Sequence, residues 1–179
     1  LRAYGSPAGC VAALRPAKFR FPLLWRPNPT MLYFSKKILF VGFGFVARCT
    51  LPILLKHVNV RPEDITILEF DPDEDVLRRW IEKGVNVVRA KIEPHNLGEL
   101  LGSHVSAGDI VIDLAWNIDC GEILQWCHDH GVLYLNTSVE LWDPYANSKG
   151  AHPTQMTLYW RHMNIRRIMA SWSTPGPTA

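Results

Sequence analysis

The feature that most constrains the fold is an apolar run that passes directly into a glycine-containing turn. Residues 37–48 read KILFVGFGFVAR, a strand-like stretch that leads into Gly42, Gly44 and Ala47 in a Gly-x-Gly-x-x-Ala pattern. The first glycine permits a tight turn, the second lets an anion approach the backbone, and the small alanine lets the next helix pack close to the strand. The N–H groups and positive dipole end of that helix would face a pyrophosphate. The pattern therefore predicts a dinucleotide-binding turn.

A second apolar run supports this interpretation. Residues 65–70 (ITILEF) are strand-like, and Asp71 follows a little over twenty residues after Ala47. A carboxylate at the tip of the second strand binds the adenosine ribose hydroxyls in NAD-type sites. Glu69 points to the same side of an extended chain, but Asp71 lies nearer the carboxyl end of the strand and is favoured here. The alternative is that Asp71 only begins the next helix, since Asp followed by Pro is a common helix start.

Apolar runs and helical stretches alternate regularly along the middle of the chain. Strands are expected at residues 37–42, 65–70, 85–89, 109–115 and 132–136. Helices are expected at residues 45–57, 73–83, 120–130 and in a short stretch that ends near Ser103. Gly131 is placed to end the helix at 120–130, whereas Pro52 should kink the first helix. Continuous apolar strands that alternate with helices predict an α/β fold, a Rossmann-like doubly wound parallel sheet.

Composition limits the remaining possibilities. The 179 residues suffice for one domain, or for one domain and a piece of another. An apolar content of 47% is enough for a core, and the net charge of +2 indicates no nucleic-acid partner. No apolar run reaches the length of a membrane span, so no membrane partner is expected. The four cysteines have neither metal-ligand spacing nor the density of a disulfide scaffold, which favours a reduced cytoplasmic protein without a metal site.

The two ends of the chain differ from its middle. Residues 1–35 are expected to be a disordered leader, since residues 1–30 contain basic residues and prolines but no acidic residue. Such a leader is typical of an organelle transit peptide; the alternative, favoured here, is that Met31 is the true start of the protein. We expect an NAD-binding domain at 36–150 and an incomplete linker or second domain at 151–179. The closing STPGPTA suggests a chain truncated before a catalytic domain.

Two further loops are expected beside the glycine turn, because ligands of open parallel sheets bind beyond the carboxyl ends of the strands. They follow the strands at 109–115 and 132–136, and they are rich in aromatic and acidic residues: Trp116, Asn117, Asp119, Glu140, Trp142 and Asp143. Aromatic faces beside carboxylates suit an organic ammonium ion. The alternatives are structural: Trp142 covers the edge of the sheet, Asp119 caps the next helix, and Glu140 is solvated. Arg48 either reaches the pyrophosphate or forms a surface salt bridge.

Three segments resemble bacterial homospermidine synthases, which belong to the broader saccharopine dehydrogenase-like group. They are residues 38–52 (ILFVGFGFVARCTLP), 133–142 (LYLNTSVELW) and 157–167 (TLYWRHMNIRR). The resemblance covers roughly residues 36–179. It implies an enzyme that transfers an aminobutyl group between polyamines, putrescine or spermidine, through an imine, with NAD as a retained cofactor. It also implies a homodimer for the full-length enzyme.

The resemblance also implies roles for individual residues. The loop of Glu140 and Trp142 would face the amine, and the loop of Trp116 and Asn117 would border the nicotinamide and the substrate. Asn117 departs from the family's Asp, and an amide loses the attraction for an ammonium ion. The complete set of predicted site residues is catalytic Glu140 and Asn117, substrate-binding Trp142 and Trp116, and NAD-binding Gly42, Gly44, Phe45, Val46, Ala47, Asp71, Ala115 and Thr137.

Two other functions remain open at this point. One is a saccharopine or carboxynorspermidine dehydrogenase, which carries out a net reductive condensation. The other is a truncated dinucleotide-binding module without catalysis.

Overall fold

A computed structural model describes residues 31–146 and 149–172 of the chain. The predicted leader up to residue 30 and the terminal turn at 173–179 lie outside the described residues. The strands within the described part are β1 (Leu32–Tyr33), β2 (Ile38–Val41), β3 (Val58–Asn59), β4 (Ile65–Glu69), β5 (Asn86–Arg89), β6 (Ile110–Asp113) and β7 (Leu133–Asn136). The helices are α1 (Phe45–His57), α2 (Glu74–Ile81), α3 (Leu97–His104), α4 (Cys120–His130) and α5 (Leu158–Ala170).

Five of the strands form one parallel sheet in the order β5-β4-β2-β6-β7. The first strand of this sheet in the chain, β2, lies at its centre, and the chain winds outward from it in both directions. This is the doubly wound arrangement of a Rossmann-like fold, so the predicted fold class is confirmed. Each strand is one to three residues shorter than expected.

The sheet is covered on both faces, as its apolar strands predicted. Alternate residues of a strand point to opposite faces: Phe40 belongs to one buried cluster with residues of α1 and α2, and Leu39 belongs to the other with residues of α3 and α4. Cys120 and Cys127 pack in the interior and contain free thiols. Two cores therefore hold the sheet rigidly between helical layers.

Local signals define the ends of the helices. Asp73 and Asp119 cap α2 and α4 by accepting hydrogen bonds from backbone N–H groups of the first turn. Gly131 ends α4 in the left-handed conformation at a φ of 67°, as predicted. The first helix continues through Pro52 without a break. Within the described residues, no helix combines the length and the apolarity that a bilayer crossing requires.

The folded part begins earlier than the sequence indicated. Strands β1 and β3 form a short parallel pair in which Leu32 lies opposite Val58 and Tyr33 lies opposite Asn59. The expected leader at 1–35 is therefore wrong for Leu32 and Tyr33, which belong to a strand. Two-residue strands carry too little periodicity to be recognised in a sequence.

Candidate functional site

The candidate functional site is a cavity of about 470 Å³ at the carboxyl edge of the sheet. Its walls come from the connections that follow four neighbouring strands: residues 42–44 after β2, 70–73 after β4, 90–92 after β5 and 114–118 after β6. These connections meet because the strands are parallel and adjacent. The cavity therefore lies where open α/β sheets bind their ligands.

The two glycines of the turn serve different purposes. Gly42 has a φ of +83°, and a Cβ atom there would lie 2.9 Å from the Cα atom of Ala115. Both the backbone conformation and the close approach of Ala115 therefore require glycine at this position. Gly44 has an extended backbone, and a Cβ atom built on it meets no heavy atom within 4 Å. The space beside Gly44 is open, as the approach of an anion requires.

The amino end of α1 is free to receive that anion. Gly44 is the N-cap and has no side chain to occupy the first N–H groups, and the first turn contains no acidic residue. The first N–H groups of a helix have no acceptor within it. Phe45 is 83% exposed and Val46 is also exposed, whereas Ala47 is fully buried against the sheet. The helix terminus thus offers N–H groups without an acceptor among the described residues, at the positive end of the helix dipole beside the cavity.

Two carboxylates line the cavity near the end of β4. Glu69 accepts hydrogen bonds from the backbone N–H groups of Phe43 (2.6 Å), Phe70 (3.0 Å) and Asp71 (3.3 Å). The side chain of Asp71 is exposed and makes no hydrogen bond within the described residues. Glu69 is therefore held across the glycine turn. Its contact with Phe43 is tertiary and could not be predicted from the sequence, which is why Asp71 was favoured over Glu69. A carboxylate with two oxygens still has lone pairs for ribose hydroxyls.

The two cations that line the cavity each have an acidic partner. The Nη2 atom of Arg48 lies 3.4 Å from the Oδ2 atom of Asp73. The Nε–H group of Arg48 donates a hydrogen bond to the carbonyl oxygen of Phe43 at 3.2 Å. The Nζ atom of Lys91 donates a hydrogen bond to the Oε1 atom of Glu93 at 2.9 Å, and this hydrogen bond lowers the pKa of the Glu93 carboxyl. Of the two contacts expected for Arg48, the pyrophosphate or a surface salt bridge, the structure shows the salt bridge. Neither cation is left without a counter-charge.

The loop after β6 forms the wall beside the glycine turn. Trp116 is 74% exposed, and Asn117 adopts a left-handed conformation at a φ of 58°. Among residues other than glycine, Asn and Asp tolerate that conformation best. Ala115, Trp116 and Asn117 all line the cavity, so the structure brings these three predicted residues together.

The remaining predicted residues lie in the loop after β7 and do not line the cavity. Thr137 is exposed, and Glu140 accepts a hydrogen bond from the Ser138 hydroxyl at 2.9 Å. Trp142 is half-buried against the core next to α3 and α4, and its indole N–H has no partner within the described residues. The capping alternative for Asp119 is confirmed, whereas the roles of Glu140, Trp142 and Thr137 stay predictions.

One carboxylate at this edge was not predicted from the sequence. Asp113 ends β6 with 5% of its surface exposed, and it accepts hydrogen bonds from Tyr134 Oη (2.8 Å) and the Ala115 N–H (3.2 Å). Burial and, to a smaller extent, the charge of Glu140 raise the pKa of Asp113 to about 6, although both hydrogen bonds lower it. Burial and the neighbouring charge of Asp113 also raise the pKa of Tyr134, which stays a hydrogen-bond donor. The signal in the sequence is a carboxylate at the end of an otherwise apolar strand.

Comparison with known proteins identifies the relatives of this chain. A homospermidine synthase from Mesorhizobium japonicum is 27% identical over 108 residues, which make up 59% of this chain and 22% of that protein. Another from Blastochloris viridis is 26% identical with the same coverage. The crystal structure of a homospermidine synthase from Legionella pneumophila in complex with NAD has a TM-score of 0.67 and 24% identity, over 80% of this chain and 29% of that one.

These matches define what is shared. The solved structure has the same fold, and the chain spans only 22% of the length of the two relatives from sequence comparison. Residues 38–179 match the family described as the saccharopine dehydrogenase NADP binding domain. The predicted resemblance to the saccharopine dehydrogenase-like group is confirmed, as is the predicted class of cofactor, a nicotinamide dinucleotide. Because the match extends over well more than half of its residues, this chain belongs to the saccharopine dehydrogenase NADP-binding domain family.

Proposed function

We propose that this chain is the NAD-binding part of an enzyme that transfers an aminobutyl group between polyamines. The observation that carries the proposal is the open glycine turn, where space beside Gly44 adjoins an uncapped helix terminus and a cavity lined by carboxylates. The similarity to two homospermidine synthases supports the choice of reaction. The proposal includes putrescine or spermidine as substrate, a cytoplasmic location and a homodimer of the full-length enzyme.

NAD fits the charges of the cavity better than NADP, although the description of the family names NADP. A ribose 2′-phosphate would meet the carboxylates of Glu69 and Asp71, which repel it. The cations that would attract it, Arg48 and Lys91, are already paired with Asp73 and Glu93. A ribose diol, in contrast, donates hydrogen bonds to a carboxylate. The balance therefore favours the cofactor without the phosphate.

The residues of this chain would share the work with the cofactor. Bound NAD supplies a hydride acceptor that oxidises the amine and later returns the hydride. Glu140 would pair with a substrate ammonium, and Trp142 would offer it an aromatic face. Trp116 and Asn117 line the cavity, and we propose that they orient the substrate beside the cofactor. The amide of Asn117 accepts a hydrogen bond but adds no charge.

The test is a titration of the purified chain with NADH and NADPH, followed by fluorescence. We expect tighter binding of NADH, and tighter binding of NADPH would contradict the proposal. Glu69→Gln and Asp71→Asn form a matched pair, since each removes one charge from the same cavity. The variant that loses the preference for NADH identifies the carboxylate that faces the ribose. If neither variant changes the preference, carboxylate repulsion is not its cause.

The other functions make different predictions for a longer protein that includes this chain. Homospermidine synthesis releases ammonia from putrescine without net formation of NADH, whereas a saccharopine or carboxynorspermidine dehydrogenase consumes a reduced cofactor in each turnover. A non-catalytic module would bind the cofactor and do neither. Measurement of ammonia and NADH in the same reaction separates the three.

A further inference from the structure

Asp113 has a buried carboxyl group that has no role in the proposed function. It is one of two buried charged side chains among the described residues, and both lie on β6 or directly before it. Asp109, at the amino end, accepts hydrogen bonds from the Lys37 N–H and from the N–H and hydroxyl groups of Ser106. Asp113 lies at the opposite end, where the strand reaches the cavity. The two carboxylates therefore allow a comparison between a position far from the site and one beside it.

The hydrogen bonds of Asp113 connect the cavity wall after β6 with the neighbouring strand β7. Its Oδ1 atom accepts from the backbone N–H of Ala115, and its Oδ2 atom accepts from the hydroxyl of Tyr134 on the neighbouring strand β7. Ala115 is the residue whose backbone lies so close to Gly42 that only glycine fits there. It is also the first residue of the exposed loop with Trp116 and Asn117. The carboxylate thus ties the start of this wall to β7.

Among the described residues, no cation in the surroundings of Asp113 explains its burial. The groups whose charges interact with it are the Tyr134 hydroxyl, the thiols of Cys120 and Cys127, and the carboxylate of Glu140. None of these groups neutralises a carboxylate. An ionised group in such surroundings costs stability. An apolar or amide side chain at this position would avoid that cost.

The loop of Glu140 is attached to the same region. The carbonyl oxygen of Glu140 accepts a hydrogen bond from the Cys120 N–H at the start of α4 (3.2 Å). Arg161 of α5 donates to the carbonyl oxygen of Val139 at 3.3 Å. Asp113 therefore lies between the wall of the cofactor cavity and the loop that we propose for the amine.

We propose that Asp113 is a positioning residue for the cofactor: by accepting from the Ala115 N–H and the Tyr134 hydroxyl, it holds the cavity wall at 115–118 against the glycine turn. This inference rests on the proposed binding of NAD. The carboxylate need not touch the cofactor, since its effect passes through the backbone of Ala115. An amide can replace it, because the Asn oxygen accepts from Ala115 while its NH₂ group donates to the Tyr134 oxygen.

The experiment measures NADH affinity of the purified chain at pH 8 for four proteins. Asp113→Ala should weaken binding by about tenfold to a hundredfold, as expected for the loss of a charge-assisted hydrogen bond. Asp113→Asn should restore affinity to within about threefold of the wild type, since it keeps an acceptor for Ala115. The control Asp109→Ala removes the other buried carboxylate, and it should lower stability but leave affinity unchanged.

The outcomes separate this inference from the function on which it rests. If the wild-type chain does not bind NADH, both the proposed function and this inference are overturned. If the wild type binds and Asp113→Ala binds equally well, only this inference fails. If Asp113→Ala does not fold, Tyr134→Phe decides instead. It keeps the carboxylate but frees it to turn, so affinity should fall by about threefold to tenfold; unchanged affinity overturns the inference.

Discussion

Replacement of Asp113 by Asn should stabilise the folded chain at neutral pH, although it removes two charge-assisted hydrogen bonds. The side chain is buried and its carboxylate has no cationic partner within the described part of the chain, so ionisation is unfavourable in the folded state. Asn has nearly the shape of a protonated Asp, and Tyr134 can accept from its NH₂ group because a hydroxyl both donates and accepts. The variant therefore resembles the wild type with Asp113 permanently protonated.

The magnitude follows from the pKa of Asp113, about 6 in the folded chain against an ordinary value of 3.8. Between these values the folded state binds more protons than the unfolded state, so the stability of the wild type falls as the pH rises through this window. The loss is complete above the folded pKa and amounts to about 3 kcal/mol at pH 8. At pH 5 it is about half as large. Asp113→Asn should therefore be more stable than the wild type by about 3 kcal/mol at pH 8 and about 1.5 kcal/mol at pH 5.

Urea unfolding of the two proteins at both pH values measures these differences. The comparison isolates Asp113, because every other titrating group is common to both proteins. Asp109→Asn is the matched control: three donors face Asp109, and Asn has only one acceptor oxygen. It should lower stability by about 1–3 kcal/mol at either pH. A wild type more stable than Asp113→Asn at pH 8 would show that the hydrogen bonds of the carboxylate outweigh its burial, and the reasoning would be refuted.

Three further variants test the glycine turn and the amine loop. Gly42→Ala should lower the free energy of unfolding by at least about 2 kcal/mol in urea, because it combines a φ of +83° with a 2.9 Å approach to Ala115; an unchanged midpoint would contradict this. Gly44→Val should abolish NADH binding yet unfold at nearly the wild-type urea concentration, since open space surrounds its Cβ position; retained affinity would show that the turn is only structural. In a longer protein that includes this chain, Glu140→Gln should weaken amine affinity by about tenfold to a hundredfold with NAD affinity nearly unchanged, and the reverse pattern would show that the loop is misassigned.

The helices and the glycine turn were predictable because their signals are local. The bounds of α1 and α4 were predicted to the residue. The side chain of Asp119 and the left-handed Gly131 mark the two ends of α4 with neighbouring residues alone. Gly42 and Gly44 could be assigned because a strand-turn-helix pattern leaves few conformations for that segment. The fold class followed from the alternation of such segments.

Which of the two carboxylates near the end of β4 contacts the glycine turn could not be predicted in the same way. Glu69 reaches the N–H of Phe43, which lies 26 residues earlier in the chain, only because β4 pairs with β2. Asp71 was favoured over Glu69 because it lies nearer the carboxyl end of the strand. The position of a residue along its own strand contains no information about the turn that follows the neighbouring strand. Pairing of the strands decided which carboxylate is held across the glycines.

Asp113 shows the same limit most clearly. Its sequence context, a carboxylate after three apolar residues, was visible, but its burial depends on α4 and on Tyr134 from the next strand. Backbone conformation is governed largely by a residue and its neighbours in the chain, which is why the sequence alone determined the turn, the helices and the class of fold. The pKa of a side chain depends on the solvent and charges that surround it in space. Only the tertiary structure, by placing β6 between β2 and β7, decided that this carboxylate would be buried beside the cavity.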